Sequence, residues 1–161
     1  MKVALCSHKK GRVKMVKGYI TAISISEKKG QKKHNIESAQ LRVDHGMVGD
    51  AHAGQWHRQI SLLGIASIDY MRNQGANVKP GDFAENITVE GIVLYELPVG
   101  TQLQLGNEVL LEVTQIGKEC HHGCEIMKQV GSCIMPTQGI FAKVLKDGII
   151  QVGDAVCILN D

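Results

Sequence analysis

The segment around residue 120 concentrates side chains that could do chemistry. Residues 118–124 read Lys-Glu-Cys-His-His-Gly-Cys. Lys118, His121 and His122 are cationic or can become so, and such neighbours favour the thiolate form of a cysteine. We therefore predict that Cys120 is a working thiolate with His121 beside it. Such a group could bind a soft metal, attack an electrophile or carry a persulfide.

The cysteines of this region allow two other interpretations. Cys120, Cys124, Cys133 and one histidine could form a structural zinc site, although CxxxC is looser than the CxxC pairs typical of zinc and no second pair follows. Cys124 and Cys133 could instead be small buried hydrophobic residues, as free cysteines often are. An apolar position is less expected for Cys120, because it lies between Glu119 and two histidines.

A second candidate site is the segment 44–58, which has no hydrophobic periodicity and holds three Gly, three His and the only Trp. Long loops without secondary structure are uncommon in small domains and are usually functional. The glycines let the backbone approach a ligand, while His52, His57 and Arg58 supply donors to an anion. The segment therefore predicts an anion or phosphate site. A metal site on the two histidines is disfavoured, because their i, i+5 spacing does not place them on one helix face.

A third motif, residues 80–88, reads Pro-Gly-Asp-Phe-Ala-Glu-Asn-Ile-Thr. The Pro-Gly-Asp portion predicts a turn that leads into a strand. Glu85 and Asn86 follow this turn, and we expect them to fix it or to orient a neighbouring loop.

Strand patterns surround these motifs and must position them. Alternating residues and short apolar runs predict strands over residues 16–25, 39–43, 59–63, 85–89, 101–105, 108–114, 140–145 and 154–159. Ile65, Ile68 and Met71 predict a short helix ending near Gly75, and Gly106-Asn107 predicts a hairpin turn. We predict a mainly β fold: a closed or partly open barrel of about seven or eight strands with one or two short helices.

The composition bounds the class of protein. A length of 161 residues suits one domain, and we interpret residues 1–13 as a frayed or disordered basic lead-in to a single domain over 14–161. Aromatic residues make up only 4%, so the core should be aliphatic. No window offers the roughly 20 apolar residues of a membrane span, and the start does not read as a secretory signal. With an odd count of five cysteines, these features predict a reduced, cytoplasmic protein.

Charge is divided unequally along the chain. Residues 1–33 carry ten Lys or Arg and one acid, whereas residues 34–161 carry eight Lys or Arg and fifteen acids. The lysines at 28–33 have no interleaved aromatic residues, so we expect a solvated loop rather than a nucleic-acid site. We interpret the basic front end as a solubility or partner-docking feature.

Several of these motifs occur in a specific order. They are Gly49–His52, Arg58–Leu63, Gly81–Ile87, Leu97–Thr101, Gly106, Gly117–His121 and Gly153–Val156. As an ordered set they resemble the MOSC family, the domain at the C-terminus of molybdenum cofactor sulfurases, over about Val16 to Leu159. The chain looks most like the small stand-alone bacterial members. The resemblance implies a barrel-like β fold and an association with the molybdenum cofactor, the molybdopterin-bound metal.

The resemblance also implies roles for the candidate residues. The cysteine matching Cys120 is the proposed sulfur carrier of the family, and in amidoxime-reducing members it is similar to the residue whose thiolate binds molybdenum. His121 would tune that thiolate. The expected cofactor contacts are His52, His57, Arg58 and Lys118 on the pterin phosphate, and Asp50, Glu85 and Asn86 on the pterin or the shape of its pocket.

The implied activity is cofactor sulfuration, cofactor delivery, or molybdenum-dependent reduction of N-hydroxylated compounds. The aminotransferase-like domain of the full sulfurases is absent, so pyridoxal phosphate is not expected here. We therefore expect the chain to act with a cofactor-biosynthesis protein or a molybdoenzyme as partner, as a monomer, and without nucleic acid or membrane. A non-catalytic cofactor carrier and a structural zinc-binding β-domain are the alternatives.

Overall fold

The structure, a computed structural model, describes residues 5–6, 14–119 and 125–159. The strands are β1 (Leu5–Cys6), β2 (Lys14–Met15), β3 (Gly18–Ile25), β4 (His34–Ile36), β5 (Ser38–Arg42), β6 (Gly46–Met47), β7 (Ile60–Gly64), β8 (Ile87–Glu90), β9 (Gln102–Leu105), β10 (Val109–Ile116), β11 (Ile140–Lys146), β12 (Gly148–Gln151) and β13 (Ala155–Leu159). The helices are α1 (Ile65–Asn73), α2 (Glu125–Val130) and α3 (Met135–Gln138), with a 3-10 turn at Leu94–Glu96.

Seven of these strands form a closed barrel. Their order is β13-β9-β10-β11-β7-β8-β3, and β3 pairs in turn with β13, which completes the ring. β4 adds to β3 outside the ring, and β12, β5 and β6 form a separate three-stranded sheet. The predicted mainly β barrel is therefore confirmed as a closed one.

The longer predicted strands are confirmed with ends shifted by one or two residues. The hairpin at Gly106-Asn107 is also confirmed, because Leu105 pairs with Val109 across it. The sequence pattern missed β4, β6 and β12, which have only two to four residues each, too few to show alternation. It also missed the short helices α2 and α3.

Two hydrophobic clusters lie on opposite faces of the barrel wall. The first fills the barrel and contains no aromatic residue, as the composition predicted. The second packs α1, α2 and α3 against the outside of the wall and includes both phenylalanines. Successive strand residues point to opposite faces. On β7, Ile60 and Leu62 therefore join the barrel interior, whereas Leu63 joins the outer cluster.

The helix α1 connects two parallel strands, β7 and β8, with Leu62 opposite Ile87. Among the described strands of the barrel, β7 and β8 are the pair that is parallel. Candidate site residues precede each of these two strands. Arg58 precedes β7, and Glu85 and Asn86 precede β8. Because the two strands are parallel, the segments that precede them lie at the same end of the barrel.

The lysines at 28–33 were expected to form a solvated loop, and the structure contradicts this for one of them. Lys28, Lys29 and Lys32 are exposed, as predicted for a solvated loop, but Lys33 is only 2% exposed. At the front end, β1 pairs with β2, and the rest of residues 1–13 lies outside the described residues. Within the described part of the chain, no helix is long and apolar enough to span a membrane.

Candidate functional site

A cavity of about 220 Å³ lies on the outer face of the barrel wall, beside the second hydrophobic cluster. Its lining consists of His52, Trp56, Arg58, Ser61, Ala84, Asn86, Lys118, Glu119, Met135 and Phe141. The wall comes from β7 and β11, because Ser61 pairs with Phe141 in their antiparallel ladder. The structure thus brings four predicted cofactor-binding residues, His52, Arg58, Asn86 and Lys118, to one cavity.

Arg58 is held on this wall by two aromatic rings. Its guanidinium carbon lies 4.7 Å from the ring centre of Trp56 and 5.5 Å from that of Phe141. The Trp56 ring is itself fixed, because its Nε1 donates to the His52 carbonyl oxygen at 2.9 Å. This stacking orders the guanidinium before any ligand binds.

The hydrogen-bonding capacity of Arg58 is unused in the described part of the chain. Its Nε is buried without a hydrogen-bond partner, and no described carboxylate forms an ion pair with it. A buried unsatisfied donor is costly, and native structures usually explain it by function or by a bound group. Lys118 on the same wall also forms no ion pair with a described residue. This part of the cavity is suited to an anion.

His52 is positioned by a buried ion pair that lies behind the cavity wall. Lys33 Nζ lies 2.6 Å from Asp50 Oδ1, and both side chains are almost completely buried. The same Nζ lies 3.2 Å from His52 Nδ1 and 3.3 Å from Ser26 Oγ. Asp50 also accepts hydrogen bonds from the backbone N–H groups of Ser26 and His52, each at 3.2 Å. Asp50 lines neither this cavity nor the larger one beside it.

The Asp50 carboxyl is held in its ionised form. Burial alone would raise its pKa, but contacts with His52 and Lys33, the positive charge of Lys33 and the Ser26 amide outweigh burial. Together they hold the pKa of Asp50 well below its usual range.

Glu85 is buried in a different environment. Its carboxylate accepts backbone N–H groups from Gly81 and from Phe83 (3.1 Å), together with the Thr88 hydroxyl (3.4 Å). Burial raises the pKa of Glu85 to about 7, since these hydrogen bonds only partly offset desolvation and Asp82 adds repulsion. Glu85 thus fixes the turn before β8, as expected from the motif, and its side chain lies outside both cavity linings.

The turn that Glu85 holds packs closely against the loop that carries Lys33. Gly81 has a φ of +98°, and a Cβ there would lie 2.8 Å from the Lys33 carbonyl oxygen. Ala84 also has a positive φ, +65°, which is strained for a residue with a side chain. Ala84 forms part of the cavity wall, so the strained residue belongs to the candidate site.

Asn86 ties three strands together at the base of the cavity. Its Oδ1 accepts the Ser61 backbone N–H at 3.1 Å and the Ser61 hydroxyl at 3.2 Å. Its Nδ2 donates to the Ser24 carbonyl oxygen at 3.2 Å. Because these bonds occupy both ends of the amide, Asn86 is better placed to shape the cavity than to rearrange around a ligand.

His57 lies away from these residues. Its Nε2 is 2.8 Å from Gln115 Oε1, and it borders a shallow surface depression with Asp44 and Lys143. The Trp56 ring contacts both His57 and Arg58, with the Trp56 and His57 ring centres 6.0 Å apart. A cofactor contact by His57 stays a prediction.

A second, larger cavity of about 500 Å³ adjoins the first. The two share His52, Ala84 and Lys118 as a common wall. The far side of the second cavity includes Gly30, Gln31 and Lys32, the loop residues that directly precede the buried Lys33. The buried Lys33 therefore holds His52 and also fixes the end of the loop that lines the second cavity.

The predicted thiol centre lies outside the described residues. Cys120, His121, His122 and Cys124 all fall within 120–124, although the chain enters that segment from the first cavity through Glu119. Cys133 is half-buried beside the second hydrophobic cluster. Among the described residues, no group of three or more His, Cys, Asp or Glu side chains could hold a metal. A structural zinc site would therefore need ligands from outside the described residues.

Cys157 is fully buried in β13. It also takes part in a disulfide, which the sequence interpretation of reduced cysteines did not include.

Sequence reasoning missed several residues of the site. Lys33 looks like the other lysines of its run, and no local pattern marks it as buried. Ser61 and Phe141 meet only through the β7–β11 register, which the sequence of either strand does not specify. The one signal in the sequence for the contact between Trp56 and Arg58 is the position of this aromatic residue among hydrogen-bond donors.

Several solved structures share this fold. YuaD from Bacillus subtilis superposes with a TM-score of 0.75 at 17% identity, covering 88% of this chain and 94% of its own. YiiM from Geobacillus stearothermophilus gives 0.65 at 16% identity, with 89% and 75% covered. YiiM from Escherichia coli gives 0.61 at 15% identity, with 89% and 70% covered. These similarities define the class of fold, a small β-barrel domain.

The sequence profile of the MOSC domain matches residues 49–157, more than half of the chain. The chain therefore belongs to the MOSC family, which is associated with the molybdenum cofactor. This confirms the family that the ordered motifs indicated. No curated protein matches the sequence.

Proposed function

We propose that the chain binds the molybdenum cofactor at the first cavity, with Arg58, Lys118 and His52 around its phosphate. The observation that carries this proposal is the guanidinium of Arg58, which lies over the rings of Trp56 and Phe141 and keeps a buried donor without a hydrogen-bond partner among the described residues. Planar guanidinium groups suit phosphate because they can donate two parallel hydrogen bonds. Membership of the MOSC family supports the same ligand.

Cys120 is the proposed molybdenum ligand or persulfide carrier. It directly follows Glu119, a residue of the cavity lining, and Lys118 on the same wall is a cation that would favour a thiolate. The cofactor, when bound, supplies a molybdenum atom that a thiolate can ligate. Arg58 and Lys118 would neutralise the anion, Asn86 and Ser61 would hold the cavity floor, and His121 would tune the thiol.

The binding test uses the full chain purified from a host that makes the cofactor. Molybdenum is measured by elemental analysis, and the pterin by fluorescence after oxidation. We expect Arg58→Met to weaken cofactor retention about tenfold or more, because it removes a charge-assisted hydrogen bond to phosphate. Methionine should still pack against the rings of Trp56 and Phe141. Arg42→Met, which removes an exposed arginine, is the matched control.

The thiol test compares Cys120→Ser with the parent chain for molybdenum content and for sulfur loading of the cofactor. Loss of either supports the role of Cys120, and retention of both removes that role. Zinc in place of molybdenum would favour the structural-metal alternative. Bound molybdenum without turnover of N-hydroxylated substrates, in the presence of an electron donor, would identify a carrier rather than an enzyme.

A further inference from the structure

The buried Lys33 makes three polar contacts and has three protons to donate. Its Nζ faces Asp50 Oδ1 at 2.6 Å, His52 Nδ1 at 3.2 Å and Ser26 Oγ at 3.3 Å. An ammonium group has three donors and no acceptor. Each of the three neighbours is therefore placed to accept one hydrogen bond from Lys33.

This arrangement favours one tautomer of the neutral His52 ring. If Nδ1 accepts from Lys33, it carries no proton, so the proton of the neutral ring is on Nε2. The competing partner for Nδ1 is Asp50 Oδ2, but it lies 3.8 Å away, beyond hydrogen-bond distance. That oxygen already accepts the His52 backbone N–H at 3.2 Å.

The lysine reverses the direction of the usual histidine–carboxylate contact. With a carboxylate alone, Nδ1 would donate to it, and Nε2 would present a lone pair. A lone pair at the cavity wall would repel an anion. With Lys33 between them, the same ring presents an N–H donor, and the carboxylate serves to hold the lysine.

We propose that the buried Lys33–Asp50 pair is a positioning device that fixes His52 as an Nε2–H donor at the wall shared by the two cavities. The ligand group selected by this donor is an acceptor such as a phosphate oxygen. Only the identity of that ligand rests on the proposed function. The tautomer of His52 is a property of the protein alone.

The first experiment measures the ring nitrogens of His52 by NMR in ligand-free protein labelled with ¹⁵N-histidine. His52→Gln assigns its signals among the seven histidines. We expect a pyridine-type shift at Nδ1 and a pyrrole-type shift at Nε2. A proton on Nδ1 in the parent chain would overturn the inference, since it would mean that His52 donates to Asp50.

The second experiment removes the lysine. Lys33→Met should release the ring, so that the two tautomers mix or the proton moves to Nδ1. The double variant Lys33→Met/Asp50→Leu removes both charges and guards against a folding failure, because a buried ion pair can often be replaced by apolar residues. It should also show mixed tautomers. Lys28→Met removes the same charge from an exposed position and should leave His52 unchanged. An unchanged tautomer in both Lys33 variants would overturn the inference.

The third experiment uses inorganic phosphate as the probe. We expect Lys33→Met to weaken phosphate binding about tenfold relative to Lys28→Met, because the donor at Nε2 is no longer fixed. Equal affinities in these two variants would overturn the anion-selecting role. A protein that shows the expected tautomers and phosphate affinities but retains no molybdenum cofactor would contradict the proposed function and support this inference.

Discussion

Two buried carboxylates stand behind the cavity walls, and their surroundings shift their pKa values in opposite directions. Asp50 has a buried lysine at 2.6 Å, and its pKa lies well below the usual range. Glu85 has only neutral donors and a nearby Asp82, and its pKa rises to about 7. Both organise a loop that borders the site. Burial alone therefore does not decide the charge of a carboxylate, because the presence of a paired cation does.

The largest effect on stability is expected for Lys33→Met, which leaves Asp50, like Glu85, buried without a paired cation. We expect a loss of about 3–5 kcal/mol in the free energy of unfolding, since an uncompensated charge stays buried. Urea denaturation measures it as a lower midpoint with an unchanged m-value. Lys28→Met should stay within about 0.5 kcal/mol of the parent chain. A similarly small effect of Lys33→Met would show that the pair does not set the state of Asp50.

The pH dependence of stability separates the two carboxylates. The folded pKa of Glu85 is about 7 against an ordinary value of 4.5, so between these pH values the native state holds a proton that the unfolded chain releases. The free energy of unfolding should fall as the pH rises through that window, by at most about 1.4 kcal/mol per pH unit. Glu85→Gln should remove this slope, as measured by denaturation at each pH.

Asp50 should add no slope in the same window. Its folded pKa is depressed, so its contribution is complete above its unfolded pKa and is lost only as the pH falls below that value. If Glu85→Gln leaves the slope between pH 4.5 and 7 unchanged, that slope comes from another group, and the contrast between the two carboxylates fails.

A smaller loss of stability than that of Lys33→Met is expected for Lys33→Met/Asp50→Leu. Removing both charges avoids a buried unpaired ion, so the double variant should recover most of the loss caused by Lys33→Met. A residual loss of about 1 kcal/mol is expected, because the Ser26 and His52 amides lose the carboxylate that accepts them. A double variant as unstable as the single one would mean that Lys33 stabilises the fold through contacts other than the ion pair.

The barrel was predictable because its long strands show their alternation directly. Gly18–Ile25 and Val109–Ile116 each have eight residues, and the turn chemistry at Gly106 fixes the register of one hairpin. The pairing of β3 with β13 could not be predicted from the sequence, because it joins distant segments and depends on the whole sheet.

The candidate site was predictable only where charge and glycine content marked it. Arg58 and His52 stood out in an aperiodic loop, and both line the cavity. Asp50 belongs to the same motif but lies behind the wall, since a carboxylate next to a histidine can equally face a ligand or a buried cation. Lys33 was missed because it belongs to a run of lysines, and nothing in the sequence indicates which lysine of that run is buried.

The barrel is closed by pairing between β3 and β13, its first and last strands along the chain. Tyr19 of β3 lies opposite Ala155 of β13. Until β13 is available, β3 and β9 each lack one neighbour, and their backbone amides face water. Joining strands so distant along the chain requires a large loop-closure entropy, so we expect barrel sealing to come late in folding. During synthesis the nascent chain would expose two open strand edges, and it would depend on rapid completion to avoid pairing with other chains.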